Sequence, residues 1–279
     1  MAQVQILYIA TDRGVVQLAN PGTSDRWRVV GTALAEEPVL AVAASSSDPL
    51  RAFAGSAAGL YATSNGGAGW ELLRPAPVTA LTAASGAVYA GTVDGTILRG
   101  SGDEWHTIGR GAAAVRRLGV LRDGRVAAVY DDASIVLLDG DSVVPSDIAV
   151  PAPLAVVSSA ADPAGIFVVA RSGVWTPAGF HPLDGTATGA AVLLAGKPEV
   201  LLLGTEQSTL RSEDGGGSFS IVEGPADVRM LVSTPRYQDY AYGGTGAGEL
   251  WLSSDRGRTW RRLHAGMPPI HDLSFARVF

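Results

Sequence analysis

The chain has 279 residues, enough for one large all-β domain or two smaller ones, and its 35 glycines and 16 prolines, with frequent Val, Ala and Thr, favour short strands and tight turns over long helices. A formal charge of -6 and a pI near 5.2 argue against the dominating basic face that nucleic acid or an anionic membrane requires. The absence of cysteine excludes disulfides, thiolate metal sites and a cysteine nucleophile.

The N-terminal MAQVQILYIATDRG has no basic n-region, and Gln3 and Gln5 interrupt its apolar run, so it does not read as a signal peptide. No later run approaches a membrane span, and cytoplasmic residence is expected, or secretion if a leader has been trimmed. Within 6–30, ILYIATDRG, VVQLA and WRVV read as three strands. From Pro38 a fuller unit begins: PVLAVAAS, RAFAGSAAG, LYATS and GWELL. The cleanest copy is PVTALTAASGAVYAGTVDGTILRGSGDEWHTIG, Pro77 to Gly109, four strands A to D in a meander with turn residues between them. Copies from Ala114 and Pro153 keep their fourth strands poorly, and the region Asp139 to Pro151 is degenerate. Further copies start at Thr188 and Asp227.

The final segment IHDLSFARV, Ile270 to Val278, has the strand A pattern that the N-terminal three strands lack. The expected fold is therefore all-β: a single seven-bladed β-propeller over 1–279 with four-stranded antiparallel blades, closed by strand 270–278 joining the N-terminal blade. The blades fall at 6–37 plus 270–278, 38–75, 76–111, 112–149, 150–185, 186–225 and 226–266. Closure of this kind removes the free inner edges of an open repeat.

Between strands C and D a second pattern, S-x-D-x-G-x-T-W, recurs. Ser253, Asp255, Gly257, Thr259 and Trp260 match it fully, and Ser212, Asp214, Gly216, Ser218 and Phe219 match it with conservative changes. Thr63, Asn65, Gly67, Gly69 and Trp70 keep the spacing. A short Asp or Asn side chain bonds turn amides, Gly admits positive φ, and the aromatic packs back into the blade, so the pattern has a structural explanation. A calcium role is disfavoured because the acidic ligands are too few. Trp27, Trp70, Trp105 and Trp260 occupy equivalent positions and are expected in the core.

These hairpins, with the G-T-x-x-G junction at Gly91 to Gly95, resemble the BNR/Asp-box propeller superfamily over nearly the whole chain. The resemblance implies the fold. The superfamily spans sialidases, xyloglucanase-type glycoside hydrolases, sortilin-type receptor ectodomains and photosystem II assembly factors, so it implies no single activity. The R-I-P type motif of sialidases has no counterpart; the first blade offers only Arg13. Xyloglucanase-type enzymes usually join two propellers, and this chain has residues for one.

Propeller geometry places strand A starts and B–C loops on one face, the top, and the Asp-box turns opposite. Aligning strand A starts gives the column His271, Leu40, Thr79, Arg116, Ala155, Ala190 and Arg229. Arg116, Arg117, Arg229, His271 and Asp272 are the candidate ligand-binding residues at the channel mouth, since Arg presents planar paired donors to carboxylate or phosphate. Loop carboxylates Asp12, Asp94, Asp131, Asp132 and Glu206, with Arg13 and Arg171, surround them. Tyr237, Tyr240 and Tyr242 form a further aromatic patch near the glycine-rich loop 243–248. His106, His181, His264 and His271 fall in different blades without zinc-site spacing, and no G-x-S-x-G elbow is present. No metal or cofactor is expected.

The function this supports is a non-catalytic binding or scaffold propeller engaging a protein or a small anionic or carbohydrate ligand at the top-face channel mouth, without nucleic acid or membrane insertion. The alternative is a divergent glycan-acting hydrolase of the same superfamily, drawing on the top-face carboxylates.

Overall fold

A computed structural model describes residues 4–22, 26–159, 162, 165–234 and 237–278. Gln3, one of the two glutamines that interrupt the N-terminal apolar run, lies outside them. Among the described residues there is no helix, and so none long and apolar enough to cross a membrane.

Twenty-eight strands among the described residues form seven four-stranded antiparallel sheets. Blade 1 contains β1 (Val4–Thr11), β2 (Gly14–Asn20) and β3 (Arg28–Ala33). Blade 2 contains β4 (Val39–Ala44), β5 (Ala52–Ser56), β6 (Leu60–Thr63) and β7 (Glu71–Arg74); blade 3 contains β8 (Val78–Ala84), β9 (Ala87–Thr92), β10 (Thr96–Gly100) and β11 (Trp105–Arg110). Blade 4 runs through β12 (Val115–Val120), β13 (Val126–Tyr130), β14 (Ile135–Asp139) and β15 (Ser142–Pro145), and blade 5 through β16 (Pro153–Ser158), β17 (Ile166–Ala170), β18 (Gly173–Thr176) and β19 (Gly179–Pro182). Blade 6 holds β20 (Ala187–Leu194), β21 (Val200–Thr205), β22 (Thr209–Ser212) and β23 (Ser220–Val222); blade 7 holds β24 (Val228–Ser233), β25 (Ala241–Thr245), β26 (Leu250–Ser253) and β27 (Arg261–His264). The two fourth strands that are weak in sequence, β15 and β19, both form.

The last strand, β28 (Ile270–Val278), pairs antiparallel with β1 and completes blade 1 in the order β28-β1-β2-β3. The ring is closed as the repeat pattern anticipates. Burial peaks at the second strand in most blades and is least at the fourth: β5, β9 and β13 are buried at every residue, the innermost β12 and β24 carry exposed and half-buried residues, and the outermost β3, β7 and β27 have no buried residue. Among the described residues the core consists of seven apolar clusters, each bridging two neighbouring blades. The equivalent tryptophans serve these seams: Trp70 lies edge-on to Tyr8 at 6.1 Å, Trp105 to Phe53 at 5.2 Å and Trp27 to Tyr242 at 5.7 Å, each aromatic partner belonging to the preceding blade. Such T-shaped pairs add attraction beyond area burial.

The C–D turns share one hydrogen-bond network. In blade 7, Ser253 Oγ donates to Asp255 Oδ1 (2.8 Å) and accepts from the Gly257 amide (2.8 Å), and Asp255 accepts from both the amide (2.9 Å) and hydroxyl (2.6 Å) of Thr259. Blade 6 repeats it through Ser212, Asp214, Gly216 and Ser218, and blade 2 through Thr63, Asn65, Gly67 and Gly69. The Ser218 hydroxyl and amide pull the Asp214 carboxyl down to about 2. These turns also join blades: Gln17 Nε2 donates to Gly67 O (3.0 Å), and Arg211 Nε to Arg256 O (2.8 Å).

Candidate binding site at the channel mouth

At the top face, amides of the B–C turns hold the entries of the inner strands. Val93 N–H donates to Pro77 O, Asp131 to Ala114, Glu206 to Thr186, Gly246 to Asp227 and Asp12 to Pro269, at 2.9–3.3 Å. The turns and strand entries therefore form one rim. Just inside, the inner strands carry a β-bulge: pairing skips Leu40, Thr79, Arg116, Leu154, Arg229 and His271. A bulge of this kind re-aims side chains at the mouth of a ring.

This register corrects the sequence-derived column at two positions. Leu154, not Ala155, is the bulged residue of blade 5, whereas Ala155 lines the cavity below. In blade 6 the excess is two residues, and Ala190 is fully buried in the seam with blade 7. Thr188 there makes the bonds that Thr79 makes in blade 3: Thr79 Oγ1 donates to Gly91 O (3.1 Å) and Val115 O (2.6 Å), Thr188 Oγ1 to Gly204 O and Val228 O. Apolar alternation does not reveal an inserted bulge residue, and the alignment slipped for that reason.

Most rim charges are compensated locally. Arg116 pairs with Asp131 (2.8 Å), Arg229 with Asp227 (2.7 Å), Arg110 with Asp94 (3.0 Å), and His271 Nε2 lies 2.6 Å from Asp12 Oδ1. The Arg116 and Arg229 side chains are 41% and 54% exposed, so each pair is worth only about 0–1 kcal/mol. Arg229 does not border the cavity; Arg116, Arg117, His271 and Asp272 do. Asp132 is taken up by the amide and hydroxyl of Ser134, and Arg13, Arg171 and Glu206 are exposed. The tyrosine patch divides: Tyr237 and Tyr240 stack at 4.7 Å, but Tyr242 is buried against Trp27 and Phe275.

Below the rim lies a cavity of about 240 Å³ with walls of Ala41, Ala80, Leu118, Ala155, Val156 and Ala191. Arg117, from blade 4, reaches Met230 of blade 7, where Nη1 meets Sδ at 3.1 Å. A thioether is a weak acceptor for one of five guanidinium donors. Burial lowers the Arg117 pKa, the charge of Asp272 opposes the shift, and Arg116 adds to it. Met230 escaped the sequence reading, although it stands one residue after Arg229, as Arg117 follows Arg116 and Asp272 follows His271.

Asp272 has a different role from the rim carboxylates. Its Oδ2 accepts the Val42 amide of blade 2 at 3.0 Å and its Oδ1 the Leu273 amide at 2.8 Å, and two residues on Ser274 Oγ accepts the Ala44 amide at 2.9 Å. The closing strand is thereby fastened to the inner strand of the next blade. No ion pair within 4 Å joins Asp272 to Arg117. Burial pushes the Asp272 carboxyl up to about 6, against the pull of both amides, Arg117 and His271.

A raised carboxyl pKa means that the folded state keeps a proton that the unfolded chain has already lost. Between the usual 3.8 and about 6, stability contributed by this group falls as pH rises, and above that range the full penalty applies. Over that interval Asp272→Asn should gain on the order of 2–3 kcal/mol relative to the wild type. Urea unfolding at a series of pH values measures this, and parallel pH profiles for the two proteins would refute it.

No protein-family profile matches the chain, and no curated protein matches its sequence. Solved structures do. The chain is similar to YCF48 from Cyanidioschyzon merolae (11% identity, 82% of this chain and 86% of that one, TM-score 0.59) and to the WD40 β-propeller domain of Doa1 (14%, 90% and 89%, TM-score 0.65). It is also similar to a chain of a nidogen/laminin complex (12%, 98% of each, TM-score 0.60). At these identities the likeness is one of fold: the protein is a seven-bladed β-propeller.

Proposed function

We propose that the chain is a binding propeller that engages a protein partner through its channel-mouth face, and we place it with the BNR/Asp-box propellers on its three matching C–D hairpins. One observation carries the functional reading. Among the described residues Arg117 presents a cation to an open cavity with only a thioether as its hydrogen-bond acceptor, while its charged neighbours Arg116 and His271 are paired with Asp131 and Asp12. A propeller of similar fold occurring in a nidogen/laminin complex is in keeping with a platform role.

A photocrosslinking amino acid at Arg13 or Arg171 on the top rim should give a discrete protein adduct in cells, and one at Ser218 on the opposite face should not. Arg117→Met should remove the top adduct. Equal labelling from both faces would sink the reading. The hydrolase alternative gains support from Asp272, since a carboxyl raised to about 6 has the property of an acid catalyst. Glycoside hydrolysis takes two carboxyls, however, and Asp272 is the only one among the residues lining the cavity. Turnover on a chromogenic glycoside panel would decide for the alternative.

A further inference from the structure

Resting on that assignment of the channel mouth, we propose that the cavity seats the carboxylate of a short aliphatic acid, free or at the end of a partner's chain, against Arg117, and that seating it delivers a proton to Asp272. The argument begins from charge. Four charged or titratable side chains line the cavity: Arg116, Arg117, His271 and Asp272. Asp131 and Asp12 at the rim answer Arg116 and His271. What remains is Arg117, whose acceptor is the Met230 sulfur, and Asp272, whose oxygens are held by the Val42 and Leu273 amides.

Arg117 is thus a planar cation with donors to spare beneath an opening, the chemistry that receives a carboxylate edge-on. The walls set the rest of the ligand. Apart from the charged groups, alanine, leucine and valine side chains predominate in the lining and suit a short alkyl chain, and of its two threonines Thr79 already donates to Gly91 O and Val115 O.

A second carboxylate entering this space adds a negative charge beside Asp272, which burial already makes hard to ionise. Two like charges sharing one cavity repel, and Asp272 is the one already hard to ionise, so it takes one proton from solvent as the ligand enters ionised. No bond other than that O–H is made or broken. The protonated carboxyl retains lone pairs for the Val42 and Leu273 amides and gains a donor. By linkage, proton and ligand strengthen each other's binding equally.

Butyrate is the probe, titrated calorimetrically into the full chain at about pH 5.5 and about pH 7.5, in two buffers of different ionisation heat. Proton uptake on binding is expected, and above the Asp272 midpoint binding should weaken by about tenfold per pH unit. Arg117→Met should lose roughly tenfold or more, Arg117→Lys less, because the charge remains without the fork. Asp272→Asn should bind with an affinity that no longer changes with pH. A thermal transition for each variant separates failed binding from failed folding.

A short peptide with a leucine C-terminus, compared with its amide, distinguishes the two ligand sources. Free-acid peptide binding tighter than butyrate assigns the carboxylate to a partner's end; butyrate binding as tightly or better assigns it to a free acid. Absence of butyrate and peptide binding at about pH 5.5, indifference to Arg117→Met, or a flat wild-type pH profile would each overturn the inference. If the top-face adduct persists in the wild type while both probes stay silent, the binding face stands and only the carboxylate inference fails.

Discussion

Deleting residues 270–278 should abolish the single cooperative unfolding transition, with a loss of more than about 5 kcal/mol, comparable with the whole stability of an ordinary domain. These residues are the innermost strand of blade 1, paired with β1 from end to end. Ile270 (0% exposed) and Leu273 (3%) belong to the seam with blade 7, beside Leu7, Ile9, Tyr242 and Leu250, and Ala276 (2%) to the seam with blade 2. Fully burying one side chain the size of Ile, Leu or Phe is worth about 1.5–3 kcal/mol. Deletion removes Ile270, Leu273 and Phe275 together, strips β1 of its partner on the inner edge, and releases the Asp272 and Ser274 bonds to blade 2. Urea unfolding followed by tryptophan fluorescence measures the loss, and a synthetic 270–278 peptide should restore part of it. An unchanged midpoint in the truncated chain would mean that the ring does not depend on its closure.

The second large effect is expected at Gly91, and its cause is space. A Cβ built there would stand 2.5 Å from Val115 Cβ and 2.4 Å from its Cγ1, closer than carbon atoms approach. Gly55 meets Val78 and Gly244 meets Ile270 in the same way, so strand B leaves a gap into which the next inner strand lays its first β-branched residue. Gly91→Val should cost about 3 kcal/mol or more through overpacking of a seam that has no slack. Gly91→Ala should cost less, and Val115→Ala should relieve it, giving a favourable coupling energy in a double-mutant cycle. Simple additivity of the two changes would show that Gly91 is required for some other reason.

Most of the ring was legible because its signals are local. Tight turns such as Asp94-Gly95 and the continuous apolar run that opens β9 declare each blade separately, and the missing strand before Ile6 matches the surplus strand at Ile270 without any contact being known. The C–D turns were equally readable. Ser253, Asp255, Gly257 and Thr259 lie within seven residues, and their hydrogen bonds are fixed by that spacing. Even the looser copy at Thr63 and Asn65 forms the network, since its essential acceptors and its glycine at positive φ are kept. The fourth strands of blades 4 and 5 were obscure because outer strands are weakly buried and carry little pattern: Val143 is the one half-buried residue of β15.

The candidate site divides along the same physical line. By itself the sequence determined the number of blades, the closing strand, the two faces and five of the seven residues at strand A entries, all consequences of repeat pattern and turn chemistry acting over a few residues. Tertiary structure alone decided what those residues do. A bulge in each inner strand set which side chain faces the rim, sent Arg229 to Asp227 and away from the cavity, and left Arg117 pointing across the ring. Arg117 and Met230 are 113 residues apart, and Asp272 and Val42 are 230 apart. Such pairs are set by the closing angle of the ring, which no local pattern encodes, and the environment that raises the Asp272 carboxyl exists only once the last strand is in place.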